Sequence, residues 1–395
     1  MLYTPKSEIQ ARINKLQAML DEKRVDGVLI VQSADLFYFT GTAQSAHLYV
    51  PALGKPVLMV KKSLDRAVEE SPMDNIITLS SIKKIPGILE ENGYKVPQTL
   101  GLEMDVIPAA NYFFYQKIFK QSSLVDASKI IRDIRQIKSE FELKLHRVSG
   151  QKMDEVFRAI PGMIREGMTE IELAAGIEGK ARSLGHPGVV NLRSFNQSMF
   201  FGVIAAGAAA AVPSSFDGPA NGTGLSPHQP QSAGVKEIHK NESIFVDIAG
   251  GWDGYIADLT RIFSIGPLPG KMVEAFELSL KIQAEVLNRI EPGVDGSELH
   301  RLALDMAEAA GLSENFMGFG TDQVKFLGHG VGLELDELPV LAAGVKSRLM
   351  PGMVIAIEPK FTFPGEGVVG IENTFAITEN GLERLTLTPD ELAIN

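Results

Sequence analysis

The stretch from Ser243 to Gly266, with the sequence SIFVDIAGGWDGYIADLTRIFSIG, most narrowly constrains how this chain can fold. Two runs of β-forming residues flank a glycine-rich segment, which predicts a β-hairpin centred between Trp252 and Asp253. This register places Asp247 directly opposite Asp258, with Cβ atoms about 5 Å apart. Two carboxylates that close repel each other unless a cation or a proton lies between them. The alternative is a solvated polar face on which the pair is accidental.

A second pair of acids follows near the C-terminus. Glu358 lies in the run VIAIEPKF and Glu372 in GVVGIENTFAIT, and the PGEG between them is a turn signal centred on Gly365. A second hairpin would therefore again place two acids across its ladder. Between the two hairpins, His329 is flanked by glycines in FLGHGVGLE, which allow a close approach of the backbone. Four carboxylates and one imidazole form a ligand set for two divalent ions about 3.5 to 4 Å apart, with a hydroxide between them.

The order of these motifs is similar to that of a known metallopeptidase family. The two aspartates in VDIAGGWDGYIADLTR are followed by GHGVGLE, IEP and GIEN, which resembles the C-terminal domain of the family that contains prolidase, aminopeptidase P and methionine aminopeptidase. The resemblance implies the pita-bread fold. Carried over by position, it makes Asp247 a terminal ligand of one ion, and Asp258 and Glu372 bridging ligands. His329 and Glu358 then bind the other ion.

The resemblance also implies a mechanism and a cofactor. A hydroxide that bridges the two ions is expected to attack the substrate carbonyl, and the ions stabilise the oxyanion that develops. Glu358 would carry a proton between that water and the leaving nitrogen. The oxygen-rich donor set with a single histidine favours Mn(II), with Co(II), Fe(II) or Zn(II) as alternatives.

The length of 395 residues exceeds one ordinary domain and predicts two. Residues 1–135 alternate helical and strand patterns, beginning with a helix over residues 6–23, which is typical of an α/β domain. This part resembles the N-terminal domain of the creatinase and prolidase branch. Residues 136–395 are expected to form the catalytic pita-bread domain, so the fold class is α/β (α+β). His47 in the first domain could reach a substrate, although a lone histidine is more often structural.

Helix signals recur within the C-terminal domain. A long helix is expected from Glu140 to about Ile160. Thr169 and Glu172 predict a capping box at the start of the next helix, and Asp295 with Glu298 is a second capping signal. In the implied fold, these helices cover the outer face of a curved sheet.

The residues expected to contact substrate depart in part from the family pattern. A histidine upstream of the first metal aspartate usually contacts substrate, and the candidate here is His228 in the irregular loop 214–240; an exposed loop histidine is the alternative. The pattern also continues to a second histidine seven residues after the metal histidine, where this chain has Asp336. Gly370 and Asn373 stand where arginine and aspartate are common. The metal ligands are thus complete while the substrate-binding positions have changed.

Composition narrows the function classes further. A net charge of -11 argues against a nucleic-acid surface, because phosphate binding requires clustered Lys and Arg. No apolar run approaches the roughly 20 residues of a membrane span, and the N-terminus lacks the apolar segment of a signal peptide. We therefore expect a cytoplasmic enzyme, and the resemblance implies a homodimer. The absence of cysteine excludes disulfides and thiol chemistry.

Three functional hypotheses follow. The first is a peptidase that releases an N-terminal residue from a short peptide, with an Xaa-Pro bond as the expected cleavage site, as in prolidase or aminopeptidase P. The second is a hydrolase or lyase that acts on a C–N bond of a non-peptide small molecule, suggested by Asp336 and Gly370. The third is a binding protein that retains the fold without turnover, which the complete ligand set argues against.

Overall fold

The chain folds as two units, Met1–Arg135 and Gln136–Asn395. The computed structural model describes residues 2–193 and 201–394. Each unit has its own apolar core, formed by residues that the structure buries almost completely.

Unit 1 is built on a mixed β-sheet. Its elements in chain order are α1 (Lys6–Glu22), β1 (Gly27–Ile30), α2 (Ser33–Thr40), β2 (Ala46–Pro51), β3 (Val57–Val60), α3 (Leu64–Glu70), β4 (Ile76–Thr78), α4 (Ile85–Glu91), β5 (Thr99–Leu102), α5 (Ala109–Ile118), β6 (Ser123–Asp126) and α6 (Ser128–Arg135). Within residues 2–135 the strand order is β4-β3-β2-β1-β5-β6. The predicted first helix is confirmed, since Ile9, Ile13, Leu16 and Leu20 line its buried side.

Unit 2 contains two larger sheets and a short hairpin. Its elements are α7 (Glu140–Ala159), α8 (Glu170–Ser183), β7 (Gly202–Ala206), β8 (Ile244–Trp252), β9 (Tyr255–Ser264), α9 (Gly270–Arg289), α10 (Gly296–Ala309), β10 (Phe326–Gly330), β11 (Glu337–Ala342), β12 (Val354–Ile357), β13 (Lys360–Phe363), β14 (Gly367–Gly370), β15 (Asn373–Thr378), β16 (Gly381–Arg384) and β17 (Ala393–Ile394). Among the described residues, the sheet orders are β17-β9-β8-β7, β11-β10-β12-β15-β16 and β13-β14.

Two helix pairs cover the two sheets of unit 2. Residues such as Phe157 of α7 and Leu173 of α8 share a buried cluster with strand residues of β7, β8 and β9. Ile282 of α9 and Leu299 of α10 share another with Ile355 and other residues of the second sheet. The expected covering of the sheets by paired helices is confirmed, and it leaves the other sides of the sheets to position the site.

The predicted helix starts in unit 2 are borne out with one difference. Thr169 accepts a hydrogen bond from the N–H of Glu172, and the Glu172 carboxylate accepts one from the N–H of Thr169, so the capping box forms. Asp295 caps α10 as expected, but its carboxylate accepts from the N–H and hydroxyl of Ser297. Ser297, at the second helical position, therefore takes the role that the spacing assigned to Glu298.

None of the helices within residues 2–193 and 201–394 is both long enough and apolar enough to cross a membrane.

Candidate metal centre

The five side chains predicted as metal ligands come together in one pocket of unit 2. Asp247 lies on β8, Asp258 on β9 and His329 on β10, while Glu358 directly follows β12 and Glu372 directly precedes β15. The pocket opens to solvent, and the empty space of about 470 Å³ at its position includes part of that solvent. Its other lining residues are Val203, Phe216, Asp217, Gly218, Pro219, Ala220, Ala249, Phe326, Leu335 and Asp336.

The first hairpin has a different register from the one predicted. Its two-residue turn is Asp253–Gly254, both with positive φ, so the centre lies one residue later in the chain. Asp247 consequently pairs with Thr260, and Asp258 pairs with Ala249. The prediction that the two aspartates are directly opposite was wrong. They lie diagonally on the same face, which still aims both carboxyl groups into the pocket.

The second hairpin has the predicted register. Lys360 pairs with Gly370 and the ladder is symmetric about Gly365. The pairing of β12 with β15 keeps this register, and a short gap at residues 358–359 and 371–372 separates it from the pairing of β13 with β14. Glu358 and Glu372 lie at this gap, on opposite sides of the hairpin, as the sequence indicated.

A hydrogen bond and a β-bridge connect the two hairpins at the site. Thr260 of β9 forms an isolated antiparallel bridge with Glu372. The Thr260 hydroxyl also donates to Glu372 Oε2 at 2.8 Å. Thr260 is also the ladder partner of Asp247. It therefore holds Asp247 of the first hairpin beside Glu372 of the second.

Glycines hold the strand of His329 close to its neighbours. A Cβ added at Gly328 would lie 2.2 Å from the carbonyl oxygen of Ala356, and one at Gly330 would lie 2.2 Å from that of Leu338. Both contacts are with backbone atoms, which cannot move aside as a flexible side chain can. The sequence motif GHG is therefore explained by the close approach of β11 and β12 on either side of β10.

The two ring nitrogens of His329 face different partners. Nδ1 lies 3.2 Å from the carbonyl oxygen of Gly330 and 3.4 Å from Asp336 Oδ1. Nε2 lies 3.8 Å from Asp258 Oδ2, 3.5 Å from Glu358 Oε1 and 3.9 Å from Glu372 Oε1. A proton on Nδ1 is satisfied by the first two groups, which leaves Nε2 available as a ligand among three carboxylates.

Three of these residues form a group that fits a divalent ion. Asp258, His329 and Glu372 each offer a ligand atom, and these atoms all lie within 4.8 Å of one another. Glu372 Oε1 is buried and has no hydrogen-bond partner among the described residues. A buried carboxylate oxygen without a partner is costly, and a cation bound beside Asp258 and His329 would satisfy it.

Lys360 is a sixth residue of the site and was not predicted. Its side chain is 1% exposed, and Nζ donates to Asp247 Oδ2 at 2.9 Å, Glu358 Oε2 at 2.6 Å and Glu372 Oε2 at 2.8 Å. A signal was present in the sequence, because Lys360 lies two residues after Glu358 in a strand pattern and alternate residues point to the same face.

Burial and charge together set the protonation of the centre. Burial raises the pKa of Asp258 well above its usual range, and the charges of Glu372 and Asp247 add to this effect. Burial also raises the pKa of Asp247, to about 6, against the opposing effect of Lys360. Burial lowers the pKa of His329, but Asp336, Glu358 and the other acids outweigh it and raise the value to about 9. The centre therefore retains positive charge and protons in the absence of added cations.

Comparison with known proteins identifies the family. Residues 144–379, well over half of the chain, match Metallopeptidase family M24. The chain belongs to metallopeptidase family M24. Residues 12–137 match the Creatinase/Prolidase N-terminal domain. The expected family and the two-domain α/β fold with a pita-bread C-terminal domain are thereby confirmed.

The similarity to M24 relatives extends over the full chain. The Xaa-Pro dipeptidase of Pyrococcus furiosus is 28% identical over 389 residues, covering 97% of this chain and 100% of the relative. The solved Xaa-Pro dipeptidase from Bacillus anthracis superposes with a TM-score of 0.83 at 26% identity, covering 98% of this chain and 100% of that one. The prolidase from Pyrococcus horikoshii OT3 gives a TM-score of 0.80 at 27% identity, with 97% and 99% covered.

The positions at which this M24 chain departs from the expected pattern have different structural roles. Asp336 lines the pocket, and its side chain is 46% exposed beside His329. Gly370 faces Lys360 across the ladder. Asn373 lies outside the pocket lining and donates to Gln283 Oε1 at 2.9 Å, so it supports β15 from behind.

The two other candidate histidines are not among the residues that line the pocket. His228 is exposed in a turn between Ser226 and Gln229, and its contact with substrate stays a prediction. His47 is buried in unit 1, where its Nε2 lies 2.9 Å from the hydroxyl of Tyr115. Burial lowers the pKa of His47 to about 4, as is typical of a neutral structural histidine.

We expect Asp336→Asn to weaken Mn(II) binding about 10-fold, because a carboxylate beside the distal nitrogen of a ligand histidine orients the ring and raises its basicity. The positive φ of Asp336 is tolerated by asparagine, so the backbone should be retained. Isothermal titration of metal-free protein with Mn(II) measures the effect. Asp217→Asn, at an exposed acid on the same pocket wall, is the control, and an equal loss in both variants would contradict a specific role for Asp336.

Proposed function

We propose that this M24 enzyme hydrolyses Xaa-Pro bonds in short peptides and releases the N-terminal residue. The observation that carries the proposal is the convergence of four carboxylates and His329 in a single pocket, in a chain that resembles Xaa-Pro dipeptidases over its full length. The activity named for those relatives is thus supported here by the residues needed for metal-assisted hydrolysis.

A divalent ion would be held by Asp258, His329 and Glu372, with Glu358 beside them. When bound, such an ion polarises a peptide carbonyl and lowers the pKa of water. We propose manganese, since three of these four donors are carboxylates, which suit Mn(II), and none is a thiolate. The second ion expected from the sequence would meet the ammonium group of Lys360, which already contacts Asp247, Glu358 and Glu372.

The protein groups around the ion have separate proposed roles. His329 is oriented through its Nδ1 by Gly330 and Asp336, so that its Nε2 faces the carboxylates. Glu358 is the proposed proton carrier, because its Oε2 accepts from Lys360 while Oε1 lies toward His329. The proton taken from water would pass through Glu358 Oε1 to the leaving nitrogen of proline.

The shape and lining of the pocket support a small, partly apolar substrate. The pocket opens to solvent beside the predicted ligands, as a site that admits a small substrate requires. Val203, Phe216, Phe326 and Leu335 supply apolar surface suited to an uncharged ring such as proline. The exposed carboxylates of Asp217 and Asp336 at the same pocket would attract a cationic peptide N-terminus.

The test is hydrolysis of Xaa-Pro dipeptides, Xaa-Pro tripeptides and matched Xaa-Ala peptides by protein loaded with Mn(II). We expect cleavage of the proline peptides, loss of activity on chelation, and recovery when Mn(II) is restored. A preference for two or three residues would distinguish a dipeptidase from an aminopeptidase. Absence of cleavage by protein that demonstrably binds Mn(II) would overturn the proposal.

A second candidate function is favoured by Lys360. Its ammonium group places a fixed cation and a proton donor within hydrogen-bond distance of three acids in the centre. Such an arrangement suits a hydrolase or lyase that cleaves a C–N bond in a non-peptide small molecule. Turnover of small amides or amidines by manganese-loaded protein that is inert toward every peptide would support this alternative.

The remaining sequence-based expectations concern the surroundings of the enzyme. A homodimer and a cytoplasmic location stay predictions, and sedimentation and cell fractionation would test them. Neither is required by the chemistry proposed for the pocket of unit 2.

A further inference from the structure

The centre contains two neighbouring positions at which positive charge is surrounded by carboxylates. The first is at Lys360 Nζ, which lies 2.6 to 2.9 Å from oxygens of Asp247, Glu358 and Glu372. The second lies among the ligand atoms of Asp258, His329 and Glu372. Glu372 belongs to both positions: its Oε2 accepts from Lys360, while its Oε1 has no hydrogen-bond partner among the described residues. At the first position the cation is a protein side chain.

Lys360 is held firmly in this position. An ammonium group has three N–H donors, and Nζ has one carboxylate acceptor for each of them. The side chain is 1% exposed, and Nζ lies 5.8 Å from the ring centroid of Phe245. Unlike a surface lysine, whose side chain can move between solvent and a nearby acid, Lys360 is therefore fixed in one position.

The residue opposite Lys360 is suited to this arrangement. Gly370 is its direct partner across the hairpin. A Cβ at position 370 would lie 2.7 Å from Lys360 Cα and 2.7 Å from Lys360 Cγ. Any other residue at 370 would have to displace both the backbone and the side chain of Lys360, so glycine leaves the lysine its path into the centre.

We propose that Lys360 permanently takes the place of one of two divalent ions, so that this chain binds a single divalent ion at Asp258, His329 and Glu372. The inference deepens the proposed function and rests on it for the presence of a catalytic divalent ion. It specifies a one-metal centre in which Lys360 keeps Asp247 and the Oε2 atoms of Glu358 and Glu372 neutralised.

The number of charged groups in the centre is consistent with a single divalent ion. Asp247, Asp258, Glu358 and Glu372 together supply four negative charges when ionised. One divalent ion and one ammonium group leave a net charge of -1, which the solvent-facing side of the pocket can accommodate. A second divalent ion would have to bind the same carboxylate oxygens that already contact Nζ, and it would be repelled at short range by the ammonium group. Lys360 and a second ion are therefore mutually exclusive at this position.

Metal counting on the full chain tests the inference with Mn(II) as the probe. Metal-free protein is equilibrated with excess Mn(II), freed of unbound ion and analysed for manganese per chain and by electron paramagnetic resonance. We expect one Mn(II) per wild-type chain, with the six-line spectrum of an isolated ion. Lys360→Ala is expected to bind two, with the spectrum of a spin-coupled pair. Lys138→Ala removes another buried lysine, which contacts Glu337 at 3.4 Å, and should leave the count at one.

The outcomes separate this inference from the proposed function. Two coupled Mn(II) ions in the wild type, or none, would overturn the one-metal centre, as would a Lys360→Ala variant that folds and still binds one. If Lys360→Ala does not fold, Lys360→Gly is used, and the wild-type count and spectrum remain decisive by themselves. A wild-type chain that binds one isolated Mn(II) yet cleaves no Xaa-Pro peptide would remove the proposed activity and leave the one-metal centre in place.

Discussion

Asp258→Asn is expected to slow the hydrolysis of Xaa-Pro dipeptides about 1,000-fold while leaving the chain folded. Loss of a charged ligand removes several kcal/mol of transition-state stabilisation supplied through the ion, and about 4 kcal/mol corresponds to this factor. Asp258 contributes to the single group of three residues that fits a divalent ion within the described parts of the chain. Loss of its carboxylate is therefore expected to weaken binding of the ion and, through the ion, to slow hydrolysis.

The fold should tolerate this change, because the backbone of Asp258 is held independently of its charge. Its N–H donates to Thr374 Oγ1 at 2.8 Å, and its carbonyl accepts from the same hydroxyl at 2.8 Å. Since burial raises the pKa of Asp258 well above its usual range, removal of the charge should not destabilise the metal-free protein.

For the Asp258→Asn variant, steady-state kinetics measure the loss of hydrolysis, titration measures Mn(II) binding, and urea unfolding measures stability. Asp253→Asn is the matched control, since Asp253 is an exposed acid in the turn of the same hairpin and asparagine tolerates its positive φ. Wild-type rates in Asp258→Asn would show that the pocket is not the site of hydrolysis. A comparable loss in Asp253→Asn would point to a general effect on the hairpin.

Arg261→Met is expected to lower the free energy of unfolding by about 3 to 5 kcal/mol, in the range found when one partner of a buried charged network is removed. The guanidinium group is 3% exposed. It donates to the carbonyl oxygens of Thr260 at 2.7 Å and Glu372 at 2.9 Å, and to side-chain oxygens of Asn373 and Asp390, each at 2.8 Å. Methionine fills similar space but removes all of these donors at once, although Arg384 still donates to Asn373 and Asp390.

The same substitution should weaken Mn(II) binding, because Arg261 fixes the backbone on both sides of the hydrogen bond between Thr260 and Glu372. Arg384→Met is the matched control: its side chain is 30% exposed, and it contacts the same Asn373 and Asp390. The Arg384 pair is partly exposed, so solvent screening should make its loss cost less stability than the loss of the buried Arg261. Equal losses of stability in the two variants, measured by denaturant unfolding, would contradict the special role of the buried arginine.

Local chemistry made much of the fold predictable. The capping box at Thr169 and Glu172 depends on residues three positions apart, so the sequence alone suffices to recognise it. The register of the second hairpin follows from its short turn about Gly365. The five ligand-type residues were found because each lies in a recognisable motif, and the structure brings all five to one pocket.

The features that escaped prediction depend on turn geometry or on contacts across strands. The predicted centre of the first hairpin lies one residue early, because the prediction assumes a turn that is symmetric about GGWDG. The turn that forms is Asp253–Gly254, a favoured two-residue type. Lys360 lies between Pro359 and Phe361, and a lysine beside apolar residues usually turns its charge toward solvent. Alternation with Glu358 indicates the face of the strand on which it lies, but its burial also depends on Asp247 and Glu372, which approach it from other parts of unit 2.

The position of Lys360 bears on how the enzyme is produced in the cell. Small zinc domains remain unfolded until they acquire their metal, because binding of the ion supplies their folding free energy. Here the newly made chain supplies its own cation to Asp247, Glu358 and Glu372, so folding can be completed before any ion arrives. Metal acquisition then becomes a separate, later step of maturation. For the proposed one-metal centre, scarcity of the divalent ion would leave folded, inactive enzyme in the cell, which becomes active when the ion is supplied.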